Sequence, residues 1–314
     1  MISRKFTIWA CGLLFVFGSC AEDMVKPIEN DKDAPGTVQD VKTESLPGAV
    51  KFTYTLPSDP DLLYVLAKYT NKTGKVMEFR SSFYTNSVTV EGFGDTDTYK
   101  VELYTVDRSE NRSQPQIVEV VPLTPPILSC YESLSMVSDF GGMTFEMDNK
   151  FKSDLAIYVC TPDELGDMVL AETFYSAREE IVYSVRGYDA VPRRFGIFLQ
   201  DKYGNETDTL FTELTPIYER ELDKTKFREM YLQNDSRVDS YDGKMEYVWN
   251  GRISKDGDSG GVGLHTGTGT KDGPAVFTFD LGVLAKLSRF ALWAIQDEKH
   301  FYNDMSPRRY EVWG

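Results

Sequence analysis

YKVELYTVDRSEN, Tyr99 to Asn111, decides the fold. Tyr99, Val101, Leu103 and Thr105 alternate with Lys100, Glu102 and Tyr104. Period-two alternation puts one set of side chains on a buried sheet face and the other on the outside. The strand then runs into Asp107-Arg-Ser-Glu-Asn111, a polar turn whose Asp and Asn side chains bond nearby backbone groups. The same design recurs downstream, where Phe195, Ile197 and Leu199 precede Asp201-Lys-Tyr-Gly-Asn205. Further pairs share that separation. Gly48 recurs as Gly142, Leu63-Tyr64-Val65 as Ile157-Tyr158-Val159, Asp95 as Asp189, and Pro122 as Pro216. One coincidence would mean little, but six matches in one ungapped register predict two copies of one module. The copies are expected at 33–125 and 126–218. Short strands and Asp/Asn turns in units of that size predict β-sandwiches. Turn chemistry accounts for the repeated Asp and Asn without calcium.

The first copy resembles a fibronectin type III domain. Tyr99 to Leu103, followed by Asp107 to Pro115, looks like the penultimate strand and last hairpin of that fold, with Tyr99 as its corner tyrosine. The family's strand-B tryptophan is absent, and Phe52 and Tyr54 are expected in its place. Arg193 stands where Tyr99 does in the first copy, so the second resembles the family more loosely.

Upstream of the modules lies an export signal. Arg4 and Lys5 precede an uncharged apolar run, Phe6 to Phe17, and then Gly18-Ser19-Cys20. The run is shorter than the roughly 20 residues needed to span a bilayer. Phe17-Gly-Ser-Cys20 resembles the lipobox of bacterial lipoproteins, which implies removal of 1–19 and acylation of Cys20. Ala21-Glu-Asp23 resembles the surface-export signal of some gut-dwelling Gram-negative bacteria, and 20–32 reads as a polar tether. The expected location is the outer membrane, lipid-anchored and facing the cell exterior. A net charge of −15 argues against nucleic acid or anionic lipid headgroups as partners, because both need clustered Lys and Arg. Beyond Cys20, the remaining mature cysteines are Cys130 and Cys160. An oxidising compartment permits their pairing, and two separate buried thiols are an equal alternative.

After Tyr218 the pattern changes. Phe227, Met230 and Tyr231 within Glu219 to Leu232 stand at helical spacing and predict a short helix. Beyond come Phe277-Thr-Phe-Asp-Leu-Gly282, the apolar stretch Ala285 to Trp293, and Pro307-Arg-Arg-Tyr-Glu-Val-Trp313. This series resembles the discoidin, or coagulation factor 5/8 C-terminal, family of jelly rolls, here over 219–314. That family's jelly roll is longer, so this one reads as partial and as ending before its last strands. The whole order resembles surface lipoproteins encoded in glycan-utilisation loci. The expected fold class is all-β: two tandem immunoglobulin/fibronectin III-like sandwiches followed by a partial discoidin-like jelly roll.

Chemical motifs are sparse. Gly257-Asp-Ser-Gly-Gly261 copies the string around the nucleophile of trypsin-like proteases, but both histidines, His265 and His300, follow Ser259 rather than precede it. Those histidines lack a third metal ligand at a recognisable spacing. Acidic pairs such as Glu179-Glu180 read as solvated faces rather than glycosidase carboxylates. No cofactor is expected; the discoidin resemblance allows calcium in that domain, but no residues of this sequence support it. Sugar binding needs an aromatic ring against a sugar's apolar face and polar groups around it. The candidates are Trp249, Asn250, His300, Tyr302 and Arg308, while Trp293 and Trp313 alternate with apolar residues and are expected in the core. The expectation is a non-catalytic surface lipoprotein that aids glycan capture through the third domain. The alternative is an interaction subunit that docks with an outer-membrane glycan importer or an enzyme.

Overall fold

The computed structural model describes residues 32–238, 243–253, 264, 274–293 and 309–314. The described chain is dominated by antiparallel β structure. The first module is built from β1 (Gln39–Leu46), β2 (Ala49–Thr55), β3 (Leu62–Thr70), β4 (Val76–Ser82), β5 (Ser87–Glu91), β6 (Tyr99–Asp107) and β7 (Gln116–Val120). One sheet has the order β1-β2-β5 and the other β4-β3-β6-β7. Alternation along β6 buries Tyr99, Val101, Leu103 and Thr105 as expected. Their inner faces meet Phe52 and Tyr54 of β2, together with Val65, Tyr69 and Phe93. Phe52 and Tyr54, the residues expected in place of the family's tryptophan, are both buried in this core. The Tyr99 hydroxyl donates to Asp95 Oδ1 at 2.8 Å, four residues upstream, and so pins the corner before β6.

The second module repeats this plan. It comprises β8 (Ser135–Asp139), β9 (Gly142–Asp148), β10 (Leu155–Pro162), β11 (Met168–Ser176), β12 (Glu180–Arg186), β13 (Arg193–Asp201) and β14 (Leu210–Leu214). Its sheets run β12-β9-β8 and β11-β10-β13-β14, the same topology. Phe145, Ile157, Val159, Phe195, Ile197 and Leu199 form the core. Arg193 replaces the corner tyrosine; its guanidinium donates to the Pro162 carbonyl at 2.6 Å and lies over the Tyr188 ring. Both modules are fibronectin III-like sandwiches, and the fold class is all-β.

The repeat itself is corrected in register. The hairpin turns match as read, with Asp107 and Asn111 opposite Asp201 and Asn205. Strand pairing shows gaps elsewhere. Val65 faces Thr105 as Ile157 faces Leu199, so the counterpart of Ile157 is Val65, not Leu63. Gly48 receives the chain at Leu123 as Gly141, not Gly142, receives it at Ile217. Small insertions and deletions in loops cancel by the end of the module, because loop length is cheap to change while strand register is not.

A helix, α1 (Pro126–Ser133), opens the second module, where the sequence pattern predicts only strands and turns. Pro126 suits a first turn, where its missing N–H costs nothing. Ile127 and Cys130, three apart, face the core. Cys130 is buried there, whereas Cys160 lies on the outward-facing, half-buried side of β10, and both are free thiols. The disulfide left open is not formed; alternation along β10 aims Cys160 away from the core that holds Cys130.

Each module closes onto its own exit linker. Pro47 bridges Leu123, and Phe140 bridges Ile217 in the same parallel manner. The third segment is thinner. β15 (Arg228–Met230) pairs antiparallel with β16 (Thr278–Asp280). The helix expected across 219–232 is absent. Asp223 caps a single 3-10 turn over Lys224–Lys226, and the chain then extends into β15. The strand pairing outweighs a weak helical spacing of three apolar residues. The jelly-roll reading of 219–314 stays an expectation, since β15 and β16 are the strands among its described residues.

Candidate functional site

Of the sugar-binding candidates, Trp249 and Asn250 fall within the described residues. Cys20, His300, Tyr302 and Arg308 lie outside them, as do His265 and the 257–261 string. Trp249 is half-buried in a small aromatic cluster, with ring centroids 5.7 Å from Phe227 and 5.2 Å from Phe279. The cluster sits where β15 and β16 pair, so part of the Trp249 ring packs there while the rest stays open to solvent. Asn250 is exposed, and its Oδ1 accepts the Arg252 N–H at 2.8 Å. Trp293 and Trp313 correct the core expectation: they are 61% and 85% exposed. No described strand pairs with either segment, so the alternation has no sheet to face.

The repeated turns are saturated by local bonds. Asp107 Oδ1 accepts the N–H groups of Ser109 and Asn111, and Oδ2 accepts the Asn111 side-chain amide at 2.9 Å. Asp201 takes the N–H groups of Tyr203 and Asn205 and the Asn205 side-chain amide in the same way. These lone pairs are committed to the turn, as expected from turn chemistry.

The second copy's turn does something the first does not. Tyr203 and Gly204 replace Ser109 and Glu110, and the loop reaches across to the first module. The Tyr203 hydroxyl donates to the Glu91 carboxylate. The buried Asn205 side-chain amide donates to the Gly92 carbonyl at 3.1 Å. Gly92 has φ +85°, a conformation that L side chains resist, and a Cβ there would stand 2.8 Å from Tyr203 Cγ. Glycine is required on both counts. Burial, reinforced by the Glu91 charge, holds the Tyr203 phenol well above its usual range and keeps it a neutral donor. This junction brings the β3–β4 turn beside β11 and the β13–β14 turn. Between them lies an open groove of about 730 Å³. Thr73 and Lys75 come from the first module; Asp154, Tyr175, Gln200 and Tyr203 come from the second. Sequence reasoning missed this place. The available signal was the departure of Tyr203 from an otherwise repeated turn.

Among the described contacts between the second module and the third segment is a carboxylate cluster, beside the Lys286 ammonium over the Phe140 ring. Glu219, with a side chain 13% exposed, accepts from Ser288 Oγ at 2.6 Å, Arg289 Nε at 3.0 Å and Arg186 Nη1 at 3.3 Å. Arg186 also pairs with Asp139 at 3.0 Å. The Ser288 bond, then Arg289 and Arg186, hold the Glu219 carboxyl below its ordinary range against the opposing effect of burial.

Three family models match in series. The first is a domain of unknown function (DUF4959) over 35–122, the second a domain of unknown function (DUF5126) over 123–225, and the third a domain of unknown function (DUF5000) over 249–314. No curated protein matches the chain. Among solved structures, a SusE-like protein is 29% identical, covering 52% of this chain and 57% of its own, with a TM-score of 0.33. The chain thus spans little over half the length of that relative. A two-domain fibronectin type III segment of chicken tenascin is 12% identical over 57% of this chain and 99% of its own, with a TM-score of 0.27. The fifth fibronectin domain of Drosophila Lar is 21% identical over 29% of this chain and 98% of its own, with a TM-score of 0.22. By their own sheet topology the first two modules are tandem fibronectin III-like β-sandwiches.

Proposed function

We propose that the protein is a non-catalytic outer-membrane lipoprotein, anchored through Cys20 and facing the cell exterior, that aids glycan capture. The observation that carries this reading is the serial arrangement of two sandwiches of one topology, closed onto each other at Tyr203 and Gly92. Such a unit acts as a stiff spacer. It follows the tether at 20–32 and holds the aromatic-rich third segment, 219–314, away from the membrane. Carbohydrate binding then falls to that segment, with Trp249, Asn250, His300, Tyr302 and Arg308 as the residues proposed to contact sugar. Its discoidin-like pattern supports this assignment. A hydrolase is disfavoured at the inter-module groove. Asp201 is committed to turn amides, which leaves Asp154 without a facing catalytic partner.

Affinity electrophoresis of the full chain in gels containing soluble polysaccharides tests the reading. Retardation by at least one polysaccharide is expected. Free migration in all of them, together with recovery of outer-membrane importer components in a pull-down, would instead establish the interaction-subunit alternative.

A further inference from the structure

We propose that the groove between the two sandwiches is a second carbohydrate-binding site, distinct from the third segment. The inference rests on the glycan-capture reading but places a contact where that reading puts only a spacer.

The walls have the chemistry a sugar requires. Tyr175, on the edge strand β11, is 74% exposed and lines the groove. Its ring offers a flat apolar face to the C–H face of a pyranose, and its hydroxyl remains in water. Around it stand hydrogen-bonding groups of both senses. Lys75 supplies an exposed ammonium with no salt-bridge partner among the described residues, Asp154 an exposed carboxylate in the same condition, and Thr73 a hydroxyl. Sugar hydroxyls donate and accept, so a donor and an acceptor on opposite modules suit them better than a single-signed patch would. The groove is open at its mouth, which fits a unit inside a longer chain. About 730 Å³ lies within the range of small-molecule sites, roughly 300–1,000 Å³.

The site is also built in advance. Its two walls come from different modules, and Tyr203 belongs both to the groove and to the junction that sets their spacing. The β3–β4 turn that carries Thr73 and Lys75 is itself fixed: Asn71 Oδ1 accepts from Thr73 Oγ1 at 2.8 Å and from the Lys75 N–H at 2.9 Å. A preformed groove avoids the ordering cost that otherwise subtracts from binding. An extended peptide is the less suited occupant. The groove offers mixed polar groups and two rings, Tyr175 and the junction-bound Tyr203, rather than a row of alternating apolar pockets for successive side chains.

The test compares the full chain with Tyr175→Ala, Lys75→Ala and Trp249→Ala by affinity electrophoresis. The probes are soluble amylopectin, arabinoxylan, galactomannan and polygalacturonate. Thermal melting and circular dichroism establish that each variant is folded; Tyr175 and Lys75 are exposed, so little change is expected there. The proposal expects Tyr175→Ala to weaken retardation by one polysaccharide at least tenfold, and Lys75→Ala severalfold. Unchanged retardation in both variants, with loss in Trp249→Ala, overturns the groove and leaves the third-segment reading standing. Absence of retardation of the parent chain by every probe overturns both. If a protein partner binds through Tyr175 while no polysaccharide does, the groove is a protein contact and the proposal is wrong.

Discussion

Replacing Gly92 with alanine should loosen the two sandwiches from each other while leaving each of them folded. Two costs act at this position. With φ at +85°, an L side chain resists the backbone conformation by about 1–2 kcal/mol. The new Cβ would also stand 2.8 Å from Tyr203 Cγ and 2.9 Å from Cδ1, so the ring must move. Moving it breaks the Tyr203 bond to Glu91 and pulls Asn205 from the Gly92 carbonyl. A hydrogen bond to a charged group is worth about 1.5–3 kcal/mol and a neutral one about 0.5–1.5. Relaxation recovers part of this, so a net loss of about 2–4 kcal/mol at the junction is expected. Small-angle scattering should show a broader interdomain distance distribution. Amide exchange should rise at 91–94 and 201–205 but not in β3 or β10, where Val65 and Ile157 are wholly buried. Tyr203→Phe, which keeps the ring and removes only the bond to Glu91, should give a weaker version of the same change. Unchanged scattering and exchange in Gly92→Ala would refute the claim that this contact sets the junction.

Three further outcomes are expected. Phe52→Ala and Phe145→Ala remove equivalent fully buried rings from the two cores, so each should cost about 3–5 kcal/mol, measured as the loss of one module's unfolding transition in denaturant. Because the Glu219 carboxyl is held below its ordinary value, its contribution is complete above the unfolded carboxylate range near 4.3 and is lost as pH falls through the lower folded value. Limited proteolysis of the third segment should therefore accelerate on acidification, and Glu219→Gln should abolish that pH dependence. Maleimide should label Cys160 well before Cys130 in the native protein, because burial pushes the Cys130 thiol up to about 11, and denaturation should erase the difference.

Much of the fold was legible because strand patterning is local. Tyr99 to Thr105 and Phe195 to Leu199 announce their buried faces by alternation alone, and the Asp–Asn turns carry their own hydrogen bonds. Errors arose where pairing is decided at a distance. Leu63-Tyr64-Val65 and Ile157-Tyr158-Val159 look alike as strings, yet a register is set by the partner strand. The helical spacing of Phe227, Met230 and Tyr231 lost to the pairing of β15 with β16. Trp293 and Trp313 alternate like core residues, but alternation buries a side chain only when a second layer covers it.

The sequence by itself determined the all-β class, the duplication of one module, the residues at the heart of each core and the saturated turns. Each of these depends on side-chain periodicity or on bonds within a few residues. Only the tertiary structure decided that Cys130 and Cys160 stay apart, that Tyr203 grips Gly92, that Glu219 joins the second module to the third segment, and that Tyr175 and Lys75 share a groove. Those juxtapositions join residues of different modules, strand faces or distant segments, and no local periodicity encodes which distant surfaces will meet.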